Sequence, residues 1–279
     1  MRLARHGAPG TERPIGTGED GVWRDLTPVV PDITGGFLAD GMAAVQAALP
    51  DLPPVPEVGR FGPPLTGIGK IVCIGLNYRD HAAETGAEIP AEPILFLKTP
   101  DTVVGPEDEV LVPRRSTKTD WEVELAVVIG REARYLAAPA DAAACIAGYA
   151  ISNDVSEREF QLERGGQWDK GKNCETFNPL GPWLVTAGEV PDPQALGLRL
   201  WVNGEPRQDG NTKDMIFGID YLVWYLSQFM VLHPGDVINT GTPAGVALGR
   251  ADTPYLRAGD VVEVEIDGLG RQRQVFGQA

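Results

Sequence analysis

Two glutamates one residue apart, Glu122 and Glu124, stand in the run Asp120-Trp121-Glu122-Val123-Glu124-Leu125-Ala126-Val127-Val128-Ile129. The run is β-branched and apolar and stops at Gly130, which predicts a strand. Side chains alternate faces along a strand, so both carboxylates point the same way. Two carboxylates side by side repel each other, and near a buried strand each also loses hydration. A hard divalent cation such as Mg²⁺ would compensate, since it prefers carboxylate oxygens. Asp154 ends a second apolar run, Gly148-Tyr149-Ala150-Ile151-Ser152-Asn153, and adds a third acid from a second strand end. Water or substrate would complete such a coordination shell. A solvated edge strand would show the same Glu122/Glu124 pattern.

His81 and Glu84 form a second constellation. Three apart on a helix they share a face, and a carboxylate beside an imidazole suits a general base that draws a proton from water. An ordinary surface pair would look alike, but the chain has three histidines, and this one follows a buried strand and a Gly-Leu-Asn-Tyr turn. Lys172, one of six lysines, lies in a segment too rich in Gly and Pro for a continuous helix. Near a metal it could steady an enolate or a carboxylate; otherwise it is solvated. Gly171-Lys172 lacks the upstream glycines of a phosphate-binding loop. In Asn239-Thr240-Gly241-Thr242-Pro243-Ala244-Gly245, small residues would let backbone amides approach a ligand, and Thr242 offers a hydroxyl. A plain glycine turn reads the same. If 156–161 is helical, Arg158 and Gln161 share a face and reach the site of Asp154, or else they are solvated.

The elements that must position these residues are mostly strands. They are expected at 71–76, 94–98, 103–104, 109–112, 121–129, 147–153, 182–186, 198–202, 236–240 and 261–266, with helices at 139–146, 156–161 and 219–229. Strands outnumber helices and do not alternate with them, which argues for an α+β or β-rich architecture and against a doubly wound parallel sheet. Residues 1–64 read as a small β-rich N-terminal domain, with strand-like pieces at 3–6 and 22–26, a short helix at 42–49 and proline-dense crossings. The catalytic domain would then be 65–279.

Bulk properties exclude several classes. The chain has 279 residues, 43% of them hydrophobic, and a formal net charge of −15. That charge argues against nucleic acid, whose phosphates need clustered Lys and Arg. It leaves an anionic substrate open, because a bound metal reverses the local field. No apolar run is long enough for a membrane span. The start lacks the apolar stretch of a signal peptide, and Cys73, Cys145 and Cys174 have no zinc spacing, so free thiols in a reducing cytoplasm are expected.

Taken in order, the pieces resemble the fumarylacetoacetate hydrolase family over about 69–264. The markers are Ile71-Val72-Cys73-Ile74-Gly75-Leu76-Asn77-Tyr78 with His81 and Glu84, then Trp121 to Leu125, then Asn153 to Glu159, then Gly171-Lys172 with Thr176-Phe177, and last Gly241 to Gly245. The resemblance implies a mixed β-sandwich roll and a homodimer. It implies Mg²⁺ or Mn²⁺ held by Glu122, Glu124 and Asp154, and it places His81 and Glu84 on a lid. It puts Lys172, Arg158, Gln161 and Thr242 around a 2-oxo acid. The implied activity is metal-dependent hydrolysis of the C3–C4 bond of an acylpyruvate. Gln161-Leu162-Glu163-Arg164-Gly165-Gly166-Gln167-Trp168-Asp169-Lys170-Gly171-Lys172 looks most like bacterial members acting on 2,4-diketo-3-deoxy sugar acids of L-rhamnose or L-fucose breakdown. Similar sequences carry a ureidoglycolate lyase label. Oxaloacetate decarboxylation, fumarylpyruvate- or ureidoglycolate-type activity on the same site, tautomerisation and metal-dependent 2-oxo-acid binding without turnover are the rival readings. Asn173-Cys174-Glu175 departs from the residues that relatives often carry there, which bears on the identity of the substrate.

Overall fold

The computed structural model describes residues 1–250, 252 and 254–279. The leader forms β1 (Arg2–His6), β2 (Arg13–Thr17), β3 (Arg24–Asp25) and two short helices, α1 (Gly35–Asp40) and α2 (Met42–Ala48). There follow β4 (Ile71–Gly75), helix α3 (Arg79–Thr85), β5 (Ile94–Lys98), β6 (Val103–Val104), β7 (Val110–Val112), β8 (Thr119–Asp120), β9 (Val123–Ile129), β10 (Ile146–Asn153) and β11 (Ser156–Glu157). The chain continues with helix α4 (Asp169–Lys172), β12 (Asn178–Thr186), β13 (Gly197–Val202), β14 (Glu205–Asn211), helix α5 (Ile219–Ser227), β15 (Val237–Asn239), β16 (Val261–Ile266) and β17 (Gly270–Gln278).

A ten-stranded mixed sheet runs β3-β2-β1-β12-β10-β9-β15-β4-β5, with β6 added to β12, and a five-stranded sheet runs β14-β13-β16-β17-β7. The architecture is α+β. The leader is stitched into the large sheet, because Leu3 of β1 pairs with Leu184 of β12.

Period-two alternation divides the core into two layers. Val72, Ile74, Val123, Leu125 and Val127 pack toward β13, β16, β17 and α5. Ile71, Cys73, Ala126 and Val128 pack toward Leu3, Ile33, Phe37 and Val45 of the leader. Both faces of β9 are therefore covered, which explains why its sequence is a continuous apolar run rather than an alternating one. Each buried Val or Leu contributes about 1.5–3 kcal/mol, and a one-residue slip would exchange Leu125 for Glu124 in the inter-sheet core. The packing of β9 thus fixes where its acids point: Glu124 lies on the face of Ala126 and Val128.

Three local expectations are corrected. Residues 156–161 are not a helix. Ser156 and Glu157 pair with Asp120 and Thr119, and a single π-helical turn follows at Glu159–Glu163. The ladder to β8 satisfies the backbone there, so helix propensity is overridden. The helix expected at 139–146 is a 3₁₀ segment, Pro139–Cys145. The leader gains β2 and α1, whose Gly- and Pro-bearing sequences read as turns.

Candidate active site

Antiparallel register brings the acids together. Ser152 of β10 faces Glu124 of β9, and the Asp154 amide donates to the Glu122 carbonyl at 2.9 Å. Carboxylate oxygens of Glu122, Glu124 and Asp154 all lie within 4.8 Å of one another, and all three residues are buried. The spacing of two at the entry to β9 does what the sequence suggests: Glu122, just before the strand, and Glu124, within it, share a buried face.

Buried cations balance part of this charge. Lys172 Nζ lies 2.7 Å from Glu122 Oε2 and 2.9 Å from Asp154 Oδ2. Arg158 pairs with Glu122 Oε1 at 2.7 Å and, through Nε, with Asp120 Oδ2 at 2.8 Å. Burial alone would raise the Glu122 pKa, but the Lys172 and Arg158 charges outweigh it and bring it down to about 2. Burial also works against the charged form of Lys172, yet Asp154 and Glu122 raise its pKa and keep it an ammonium.

Glu124 is the exception. Among the described residues no basic side chain pairs with it, and its hydrogen bond comes from the Gly241 amide at 2.8 Å. Gly241 sits at φ +100, and a Cβ there would stand 2.7 Å from the Asn77 Cβ, so this approach requires glycine. Burial, then the neighbouring Asp154 and Glu122, push the Glu124 pKa well above the ordinary carboxylate range. An all-oxygen set with one uncompensated acid fits a hard divalent cation. Glu122, Glu124 and Asp154 would hold it.

Two residues of the site carry no motif. Lys98, at the end of β5, is 1% exposed. Its ammonium donates to Asp154 Oδ1, to the Phe177 carbonyl at 2.6 Å and to the Val155 carbonyl at 3.2 Å. Asp120 accepts from Arg158 and from the amides of Ala247 and Leu248 at 2.8 and 3.0 Å. A lysine alternating inward with Phe96 on an apolar strand was the available signal for Lys98.

His81 and Glu84 lie on α3, which covers the site. His81 lines a small cavity of about 30 Å³ together with Glu122, Arg158, Gln161, Lys172 and Thr242. Its Nδ1 is 3.7 Å from Glu84 Oε2, beyond hydrogen-bond length. Both Glu84 oxygens instead accept from the Gly245 amide, at 2.9 and 3.1 Å. Glu84 therefore pins α3 to the glycine turn while facing the imidazole. Gln161 accepts from Arg158 at 3.1 Å. The Thr242 hydroxyl donates to the Val123 carbonyl at 2.9 Å and accepts from Gln208 at 2.8 Å, so it is committed to holding the turn on β9. The three cysteines are free. No helix of the described residues is long and apolar enough to cross a membrane.

Residues 70–276 match the model of the fumarylacetoacetate (FAA) hydrolase C-terminal family. This chain belongs to the fumarylacetoacetate hydrolase family. A Burkholderia multivorans protein described only as a provisional hydrolase is 51% identical over 278 residues, covering 99% of this chain and 98% of its own. Maleylpyruvate hydrolase from Sphingobium sp. SYK-6, solved with manganese(II) and pyruvate, is 31% identical with a TM-score of 0.82, and the match covers all of both chains. The 5-carboxymethyl-2-hydroxymuconate delta-isomerase of Mycobacterium smegmatis is 34% identical with a TM-score of 0.79, over 100% of this chain and 99% of that one. Members similar to this chain thus include hydrolases and isomerases, and the acid triad lies within the family-matched region.

Proposed function

We propose that this family member is a metal-dependent hydrolase that cleaves the C3–C4 bond of an acylpyruvate, a 2,4-dioxo acid. The finer form of the reading is a 2,4-diketo-3-deoxy sugar acid, giving pyruvate and a hydroxy acid. The observation that carries the reading is a buried acid triad whose Glu122 lines the same small cavity as a histidine and a buried lysine.

A Mg²⁺ or Mn²⁺ held by Glu122, Glu124 and Asp154 would act as a Lewis acid toward the substrate's carboxylate and 2-oxo oxygens. His81 accepts a proton from water, and the resulting hydroxide adds to the C4 carbonyl. Glu84, fixed by Gly245, keeps a negative charge facing the imidazole as it becomes cationic. The C3–C4 bond then breaks with its electron pair on C3, leaving the enolate of pyruvate and the carboxylic acid of the acyl group. The buried Lys172 ammonium faces the developing enolate charge. A proton returned to C3 completes pyruvate.

The similarity to an isomerase supports a second reading, in which the same base moves a proton and no bond to C4 breaks. A pyruvate-release assay over a panel of 2,4-dioxo acids, with and without a chelator, separates them. Hydrolysis requires chelator-sensitive pyruvate in equal yield with the second acid. Loss of the substrate chromophore without pyruvate would reject hydrolysis in favour of isomerisation. Carbon dioxide from oxaloacetate, released faster than pyruvate from any acylpyruvate, would reassign the site to decarboxylation.

A further inference from the structure

β5 ends the large sheet, and among the described strands it pairs with β4 alone. Side chains alternate along it: Phe96 and Lys98 are buried, Leu95 and Leu97 exposed. Both inward residues serve the acid cluster. Lys98 donates to Asp154 and to the Val155 and Phe177 carbonyls. The Phe96 ring lies 5.0 Å from the Lys172 ammonium. The position of β5 therefore sets how Lys98 meets Asp154. A ladder on one side holds a strand less firmly than two, and the open edge leaves N–H and C=O groups for other partners.

Helix α4 and its C-cap supply those partners. Asp169 Oδ1 accepts from the Leu97 amide at 3.2 Å, Asn173 Nδ2 donates to the Leu97 carbonyl at 2.9 Å, and Asn173 Oδ1 accepts from the Thr99 amide at 2.6 Å. The Asn173 carboxamide thus brackets Lys98, as a residue of a parallel neighbouring strand would. It is itself anchored: Nδ2 also donates to the Asp169 carbonyl at 2.9 Å, and the Asn173 amide donates to that carbonyl at 3.1 Å. Asn173 directly follows Lys172, whose ammonium bridges Glu122 and Asp154. One short segment carries one lysine of the cluster and grips the backbone on both sides of the other. Asp154 lies between them, with Lys98 on Oδ1 and Lys172 on Oδ2. Asn173 is not among the residues that line the cavity.

We infer that Asn173 is a positioning residue of the divalent-ion site: through β5 it fixes Lys98, and through Lys98 the carboxylate of Asp154. The inference rests on the metal-dependent reading and adds to it a residue that hydrogen-bonds to none of the three acids. The first residue of Asn173-Cys174-Glu175 thereby acts on the geometry of the acids and not on the substrate.

The test is a double-mutant cycle on Mn²⁺ affinity, read by the EPR signal of free Mn²⁺, with full-length wild type, Asn173→Ala, Lys98→Met and the double variant. Groups that orient a metal ligand affect affinity about 10–100-fold, and Asn173 acts one step further out, so Asn173→Ala should weaken binding about tenfold. In the Lys98→Met background the same substitution should change Kd by no more than about twofold, because the lysine it positions is gone. A full tenfold loss in both backgrounds overturns the route through Lys98. An unchanged Kd in Asn173→Ala, with or without a lower urea midpoint, overturns the positioning role and leaves the metal site intact. A wild type that takes up no Mn²⁺ overturns the metal-dependent reading and this inference with it. Should Asn173→Ala not fold, Asn173→Ser takes its place in the cycle, with a hydroxyl too short to bond Leu97 and Thr99 together, and the same outcomes decide.

Discussion

Lys172 Nζ bridges Glu122 Oε2 and Asp154 Oδ2 at 2.7 and 2.9 Å, so one ammonium serves two of the three acids that would share a divalent ion. Lysine and metal therefore balance the same negative charge. Lys172→Met removes the cation that faces the enolate, and kcat should fall about 10²–10³-fold. It also takes one of two buried cations from each of Glu122 and Asp154, which keep Arg158 and Lys98, and the metal-free protein should lose about 1–3 kcal/mol. Mn²⁺ should then restore more stability to the variant than it adds to the wild type. Urea denaturation with and without Mn²⁺ measures this, and equal gains in both proteins would contradict the shared-charge account.

Lys98 holds Asp154 from the other side, through the carboxylate oxygen that Lys172 leaves. With its remaining hydrogen bonds on the Phe177 and Val155 carbonyls, it fixes the acid's orientation relative to β12. Groups that orient a metal ligand typically affect affinity 10–100-fold, so Lys98→Met should weaken Mn²⁺ binding by about that factor. Titration of free Mn²⁺ by its EPR signal reads the affinity directly. An unchanged Kd in a folded Lys98→Met protein would limit Lys98 to a structural role.

The contrast between these two lysines illustrates what a sequence can disclose. Lys172 follows Gly171 in a Gly- and Pro-rich segment that marks it in the sequence, whereas Lys98 ends a short strand with no motif around it. Its importance comes from β5 lying beside β4 at the edge of the large sheet, a tertiary fact. The acid triad was legible because period-two alternation and the end of an apolar run are local properties. The helix expected at 156–161 failed for the opposite reason. Pairing of Ser156 and Glu157 with β8 lies outside any local window, as does the commitment of Arg158 to Asp120. The α+β class follows from the strand surplus, but the insertion of β1 beside β12 does not, because the paired residues Leu3 and Leu184 are 181 positions apart in sequence.

His81 is the base of the proposed reaction, and its ring lines the cavity without a hydrogen bond to Nδ1. Losing a general base costs about 10²–10⁴-fold, so His81→Ala should lower kcat within that range. Glu84→Gln removes a charge facing the imidazole but retains an acceptor for the Gly245 amide, and its loss should be smaller. Steady-state pyruvate release on both variants makes the comparison. A Glu84→Gln defect larger than that of His81→Ala would place the proton-accepting role elsewhere.

Glu84 also predicts how docking of α3 responds to acid. Burial alone would raise its pKa, but contact with His81 and the Gly245 amide outweighs burial and holds the carboxyl below its usual 4.5. A group with a depressed folded-state pKa stabilises above its unfolded value, and that contribution is lost as pH falls through the folded value. The wild type should therefore exceed Glu84→Gln in urea midpoint at about pH 6, and the difference should shrink once the pH is below about 4. A gap that widened on acidification would reverse the assigned sign.

Glu124 is the acid without a basic partner, so it should discriminate a metal site from a merely buried acid cluster. If a divalent ion is held by Glu122, Glu124 and Asp154, Mn²⁺ at about 100 times its Kd should stabilise the wild type by about 2.7 kcal/mol. Glu124→Gln keeps the shape and an acceptor for the Gly241 amide but removes one anionic ligand. It should abolish most of the Mn²⁺-induced shift in Tm and the chelator-sensitive activity, while the metal-free Tm stays at or above that of the wild type, because a neutral side chain is better tolerated in this buried position. Calorimetric melts of both proteins, with Mn²⁺ and with chelator, provide all four values. Near-wild-type turnover by Glu124→Gln in excess metal would rule the triad out as the metal centre.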